Sequence, residues 1–143
     1  MNFLTLTLIS VLTLTTSAAN LSCRSEASTK TGQYWCLPAD QGGCSECVAG
    51  VKYFCSSPLM SSSQWKKGIK VLGNCASIPK YTAIATFNTA GQYYGHAAVF
   101  VGCSGDRIQV YDQWNGQVWH YREIWNKTGS DSNNPDKFFV VSY

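Results

Sequence analysis

Ser45-Glu46-Cys47-Val48-Ala49-Gly50-Val51-Lys52-Tyr53-Phe54-Cys55 carries the first architectural signal, because its apolar residues at 47, 48, 51, 54 and 55 repeat with the period of one helical face. Gly42-Gly43 precede it and Ser56-Ser57-Pro58 end it. Ser45 is the expected N-cap, and Glu46 suits the positive end of the helix dipole. Downstream the pattern changes. Residues 81–87, 96–103, 107–112, 117–121 and 137–141 are short runs rich in β-branched and aromatic residues and read as strands. Ser104-Gly105-Asp106 and Asn115-Gly116 are hairpin-like turns, so consecutive strands are expected to be antiparallel neighbours. A cysteine-bearing helix packed on an antiparallel sheet is an α+β layout. The connection between the two halves, with Trp65-Lys66-Lys67-Gly68 and Gly73-Asn74, reads as less regular.

The chain opens with an apolar stretch from Phe3 to Leu14, followed by the small residues of Thr15-Thr16-Ser17-Ala18-Ala19. Residues 1–19 therefore read as a secretory signal peptide, cleaved after Ala18 or Ala19. The stretch is shorter than the ~20 residues that span a bilayer, and Thr and Ser interrupt it, so no stable membrane insertion is expected. Residues 20–143 suit one secreted, monomeric domain around one core, without repeats. All 11 Lys and Arg and all 8 Asp and Glu follow residue 19, for a formal charge of +3. Such a surface attracts anionic partners such as bacterial envelopes, although ordinary solubilising charge explains it equally well. The basic residues are scattered and only Lys66-Lys67 are adjacent, so no nucleic-acid footprint is present. Two sequons, Asn20-Leu21-Ser22 and Asn126-Lys127-Thr128, are compatible with export in a eukaryote.

Seven cysteines, at 23, 36, 44, 47, 55, 75 and 103, all lie in the exported part. In an oxidising compartment most of them should be bridged, and the odd number leaves one thiol over. Fifteen pairings of six cysteines are possible, and spacing selects none of them. Cys44-x-x-Cys47 has metal-ligand or redox spacing, but no second matching pair follows and no strand of a βαβ unit precedes it. No metal or cofactor is expected. Cys47 differs from the rest because it sits in the first helical turn, where free amides and the helix dipole favour a thiolate.

There are two histidines, and His96 opens an apolar strand behind Gly95, whereas His120 lies among aromatics. A base for a thiol needs hydrogen-bond reach to sulfur and a third group that fixes its tautomer. With a turn centred on Ser104-Gly105-Asp106, Asp112 falls nearly opposite His96 and is that third group. Each residue also has a plain structural reading: Cys47 as half of a disulfide, His96 as a strand-end histidine, Asp112 as a turn former. Jointly they favour a nucleophile, a base and an orienting carboxylate. Gln33, Tyr34 and Gln41 are candidates to join the Cys47 backbone amide as oxyanion donors, and sequence does not choose among them. Tyr34, Trp35, Tyr93, Tyr94 and Trp114 either line a groove or pack in the core.

The helix-start cysteine and the later strand Gly95-His96-Ala97-Ala98-Val99-Phe100 resemble the NlpC-type and CHAP peptidases of the papain-like superfamily. A wider set, Glu46-Cys47-Val48-Ala49, Trp65-Lys66-Lys67-Gly68, Thr82-Ala83-Ile84-Ala85-Thr86-Phe87, Gly95-His96-Ala97-Ala98 and Val110-Tyr111-Asp112-Gln113-Trp114, resembles the amidase effectors of bacterial type VI secretion. The leader, sequons and extra cysteines make the chain similar to the domesticated amidase effectors, copies of such toxins acquired by animals such as ticks and mites. The resemblance implies a papain-like fold, a secreted antibacterial hydrolase, and bacterial peptidoglycan as partner. It implies Cys47 as nucleophile, His96 as base and Asp112 as third member. The bond it implies first is the diaminopimelate–D-Ala cross-link, and second the D-Glu–diaminopimelate bond. A secreted wall-binding or immune-recognition protein that keeps the fold without the activity is the alternative.

Overall fold

The computed structural model describes residues 18–38, 43–55 and 61–143. The expected leader up to residue 17, Gln41 and the Ser56-Ser57-Pro58 stop lie outside the described residues. The described residues form one α-helix, α1 (Cys47–Phe54), and six strands: β1 (Lys66–Lys70), β2 (Thr82–Phe87), β3 (Tyr93–Ser104), β4 (Arg107–Trp114), β5 (Gln117–Ile124) and β6 (Phe138–Ser142). The strands form one sheet in the order β1-β6-β2-β3-β4-β5, antiparallel throughout. This is the α+β layout that the helical period and the downstream strand runs predict.

Three local expectations are corrected. The segment read as an irregular connection contains β1, which pairs with β6 at the sheet edge. Lys-Lys-Gly-Ile-Lys has weak β-propensity, but an edge strand needs only one partner, and its lysines discourage a further one. His96 does not open its strand: β3 begins three residues earlier, at Tyr93. Ser45 is not the helix cap. Its φ of 62° is left-handed, so the extended cap position passes to Glu46, at φ −78° and ψ 145°, without a side-chain cap bond.

Helix α1 packs on β3 and β4. It buries Cys47, Val51 and Phe54 against Ala83, Ala85, Ala97, Val99 and Trp119. The alanines leave room for the helix to lie close to the sheet. The opposite face buries Ile84, Ala98, Phe100, Ile108, Val110, Ile124 and Phe138 under Val71 and Ile78. Because both faces of β2 and β3 are covered, these strands read as continuous apolar runs rather than alternating ones. Three disulfides, Cys23–Cys55, Cys36–Cys44 and Cys75–Cys103, tie the segments around the sheet. Among the described residues no helix is long and apolar enough to cross a membrane.

Candidate active site

Cys47 is the first residue of α1 and the free cysteine of the chain. Cys44 is bonded to Cys36, so the Cys44-x-x-Cys47 spacing is neither a redox pair nor half of a zinc site. The backbone ahead of the helix is pinned by Gln113, a fully buried residue of β4. Its Nε2 donates to the carbonyls of Glu46 (3.0 Å) and Trp35 (2.9 Å), and its Oε1 accepts from the Trp35 amide (2.9 Å). The side-chain amide thus fixes where the nucleophile-bearing turn meets the sheet. Cys47 is 6% exposed, and its sulfur lies 3.5 Å from the Tyr93 hydroxyl.

His96 is placed by an irregularity in β3. The β2–β3 register shifts between Ala85↔Ala97 and Phe87↔Tyr93, and Gly95 takes φ +98° there. A side chain at Gly95 would meet Thr86 Oγ1 at 2.7 Å. That hydroxyl instead accepts from the His96 amide (2.9 Å) and donates to the Tyr94 carbonyl. Thr86 therefore satisfies the backbone that the bulge frees, and holds His96 in one orientation.

Asp112 is not opposite His96, as a simple hairpin count suggests. The turn is the two-residue Gly105-Asp106, since Ser104 pairs with Arg107, and a bulge shifts the ladder between Gly102↔Gln109 and Phe100↔Val110. Continued past Val99↔Tyr111, that register sets Asp112 opposite Ala98 and diagonal to His96. Without the bulge Asp112 would fall opposite Val99 and point to the other face, because a one-residue slip reverses every side chain. His96 Nε2 and Asp112 Oδ2 are 2.8 Å apart. A second bulge, between Trp114↔Gln117 and Asp112↔His120, does the same on the β5 side and makes Arg122 the other diagonal neighbour.

Arg122 was not foreseen, because the strand carrying it reads only as far as Tyr121 and the bulge that turns it toward Asp112 has no sequence signal. Its Nε donates to the same Asp112 Oδ2 at 2.8 Å, while its Nη1 and Nη2 donate to Asn133 Oδ1 (2.8 Å) and the Ser132 carbonyl (2.9 Å). Asp112 is fully buried. Arg122 sets a positive charge against this buried carboxylate. His120 packs beside the group, its Nδ1 donating to the Val118 carbonyl (3.0 Å).

The electrostatics couple thiol and imidazole. Burial drives His96 down, but hydrogen bonds to Asp112 and Cys47 and the charges of both outweigh it and raise its pKa to about 9. Burial alone pushes the Cys47 thiol up, yet the hydrogen bond and charge of His96, with the Tyr93 hydroxyl and the Ala97 backbone, bring it below the ordinary value. With Nε2 taken by Asp112, the ring nitrogen left for sulfur is Nδ1. The arrangement favours a thiolate–imidazolium pair. Burial and the neighbouring Cys47 charge raise the Tyr93 phenol, which stays a neutral donor.

The remaining expected residues separate into two groups. Tyr34 accepts from the Gly116 amide at 3.1 Å, and Gln33 is exposed with its carbonyl bound to Trp119. Gln41 lies outside the described residues. Trp35 is a packing residue, stacked on Tyr53 at 4.4 Å and edge-on to Phe54. Trp114 stands 6.1 Å from the His96 ring and lines, with Gly95, His96, Arg122 and Asn133, a cavity of about 340 Å³. Tyr94 is exposed.

A family model described as domesticated amidase effector 2 matches residues 12–141. Domesticated amidase effector 2 of Ixodes scapularis is 43% identical over 110 residues, covering 75% of this chain and 75% of that protein. The solved structure of type 6 secretion amidase effector 2 (Tae2) superposes with a TM-score of 0.65 and 25% identity, covering 83% of this chain and 92% of that one. The superposition is consistent with a papain-like fold. A matched span of nearly the whole chain, with helix and sheet in common, means that the chain belongs to the domesticated amidase effector 2 family.

Proposed function

We propose that this protein is a secreted antibacterial cysteine amidase that hydrolyses the diaminopimelate–D-Ala cross-link of bacterial peptidoglycan, acting as a monomer made of residues 20–143 after removal of residues 1–19. The observation that carries the reading is one unpaired thiol at a helix start, coupled to an imidazole whose far nitrogen lies 2.8 Å from a buried carboxylate. Membership of an amidase effector family supports amide hydrolysis. Three disulfides around that thiol suit an oxidising, extracellular setting.

In this mechanism His96 Nδ1 holds the proton of Cys47 before substrate arrives. The thiolate adds to the amide carbonyl carbon, and the carbonyl π electrons move to oxygen. The Cys47 backbone amide at the helix start and the Tyr93 hydroxyl are the donors aimed at that oxygen. Collapse of the tetrahedral intermediate breaks the C–N bond, and the imidazolium gives its proton to the departing amine. His96 then takes a proton from water, hydroxide adds to the thioester, and the carboxylic acid and thiol are released. Asp112 keeps the ring oriented throughout, and Arg122 holds Asp112 in place.

The test is to incubate the mature protein and Cys47→Ala with sacculi from diaminopimelate-type bacteria and to resolve the muropeptides by mass spectrometry. Loss of cross-linked dimers with wild type alone supports the reading. Trimmed stems without dimer loss move the cut to the D-Glu–diaminopimelate bond, and identical profiles for both proteins overturn hydrolysis.

A further inference from the structure

A second concave surface is lined by Trp65, whose ring packs on Tyr93. It is a groove of about 770 Å³ along β1, lined by Gln64, Trp65, Lys66, Lys67 and Gln92 among others. The floor is joined to the active site: the Trp65 ring meets the Tyr93 ring edge-on at 5.1 Å, and the Tyr93 hydroxyl is 3.5 Å from the Cys47 sulfur. A peptide lying in the groove therefore reaches the thiol within a few residues of extended chain, at about 3.3 Å per residue.

All five of those side chains carry hydrogen-bond donors, although Gln64 and Gln92 use their oxygens to accept from the Ser61 amide and Asn88; Tyr143 also lines the groove, and no Asp or Glu among the described residues does. The third lysine of β1, Lys70, is neutralised by Asp136 at 2.6 Å. Lys66 and Lys67 are exposed and have no acidic partner among the described residues; Lys67 rests over the Phe139 ring at 4.0 Å. Trp65 adds a donor of another kind. It is 2% exposed, yet its Nε1–H has no acceptor among the described residues. An orphaned buried N–H is rare in a folded protein and marks a place where an acceptor belongs. A groove beside the nucleophile with two lysines at its rim and a tryptophan that has an unused N–H suits a carboxylate.

We infer that the β1 groove is a substrate subsite that binds a free carboxylate of the peptidoglycan stem peptide, with Lys66 and Lys67 as its charge and Trp65 Nε1 as a buried donor. The identity of the ligand rests on the peptidoglycan reading above; the groove's preference for a carboxylate does not require hydrolysis. The subsite gives the enzyme a means of telling free-acid stems from amidated ones, whose neutral carboxamide offers no charge to the lysines.

The test is calorimetric titration of Cys47→Ala with the tripeptide L-Ala-γ-D-Glu-diaminopimelate as free acid and as amide. The free acid is expected to bind about three- to tenfold more tightly, the scale of two solvent-screened charge pairs. Adding Lys66→Gln and Lys67→Gln should abolish the preference, and raising salt should do the same to the lysine-intact protein. Trp65→Phe keeps the ring but lacks the N–H, so it should weaken the free acid while leaving the melting temperature equal or higher. Equal affinity for acid and amide, or a preference that survives loss of both lysines, overturns the subsite. Uncut sacculi together with lysine-dependent binding would remove the hydrolase reading and leave the subsite standing, and cut sacculi without carboxylate preference would do the reverse.

Discussion

Asp112→Asn keeps the side-chain shape and one acceptor oxygen but removes the charge that faces His96 Nε2 and Arg122 Nε, both at 2.8 Å. His96 is held at about 9 rather than 6.5, which is worth roughly 3 kcal/mol in favour of the imidazolium. The Asp112 hydrogen bond is the largest of the raising influences, with Cys47 next. Losing that leading influence should lower the thiolate–imidazolium population by roughly tenfold. The Arg122 cation, no longer neutralised, acts on the ring in the same direction. The assay is alkylation of Cys47 by iodoacetamide across pH, read by mass spectrometry. It is clean because the other six cysteines are bridged. The wild-type midpoint should lie below the ordinary thiol value of 9.0, and the variant's should move up, with about tenfold slower alkylation near pH 6.5. A variant curve that overlays the wild type, with the melting transition retained, would show that the carboxylate does not govern the thiol.

The coupling also sets how stability depends on pH. A raised histidine pKa contributes stability that is complete below about 6.5 and is lost as pH rises through about 9. A lowered thiol pKa contributes stability above its unfolded value, lost as pH falls through the folded one. In wild type the thiol's proton resides on the imidazole, so unfolding between these limits exchanges no net proton and urea midpoints should be flat; Cys47→Ala should expose the histidine's decline, and parallel curves would contradict the pair. Gly50→Ala would place a methyl carbon 2.5 Å from the Trp119 ring, between helix and sheet. Overpacking there should cost about 1–3 kcal/mol, read as a lower melting temperature, and an unchanged one would mean the layers separate freely. Thr86→Val leaves the buried His96 amide without its acceptor and should cost a similar ~1–3 kcal/mol while slowing muropeptide release. Full activity in that variant would show that the bulge holds His96 without help.

Much of the fold is legible locally. The period of residues 47–55 and the β-branched runs between 81 and 141 are properties of neighbouring residues, and they gave the helix, five of the six strands and both hairpin turns. Strand β1 escaped because Lys, Gly and Lys carry no strand signal, and only the partner β6 makes the segment extended. The odd count of cysteines implied a spare thiol, but their pairing depends on which segments meet, and spacing records nothing of that. Gln113 and Arg122 were invisible for the same reason: each acts on residues distant in the chain, Trp35 and Glu46 in one case and Asn133 in part of the other.

What the amino-acid sequence determined by itself is the inventory: a cysteine at a helix start, a histidine behind a glycine on an apolar strand, and an aspartate at the end of the next. Those placements follow from hydrophobic period and turn chemistry, which act over a few residues. What only the tertiary structure decided is that the three face one another. A plain two-residue turn on either side of β4 would point Asp112 away from both His96 and Arg122, and one bulge in each ladder reverses that. Because strand side chains alternate with a period of two, a single extra residue selects the face, and where that residue is inserted depends on how whole strands pack.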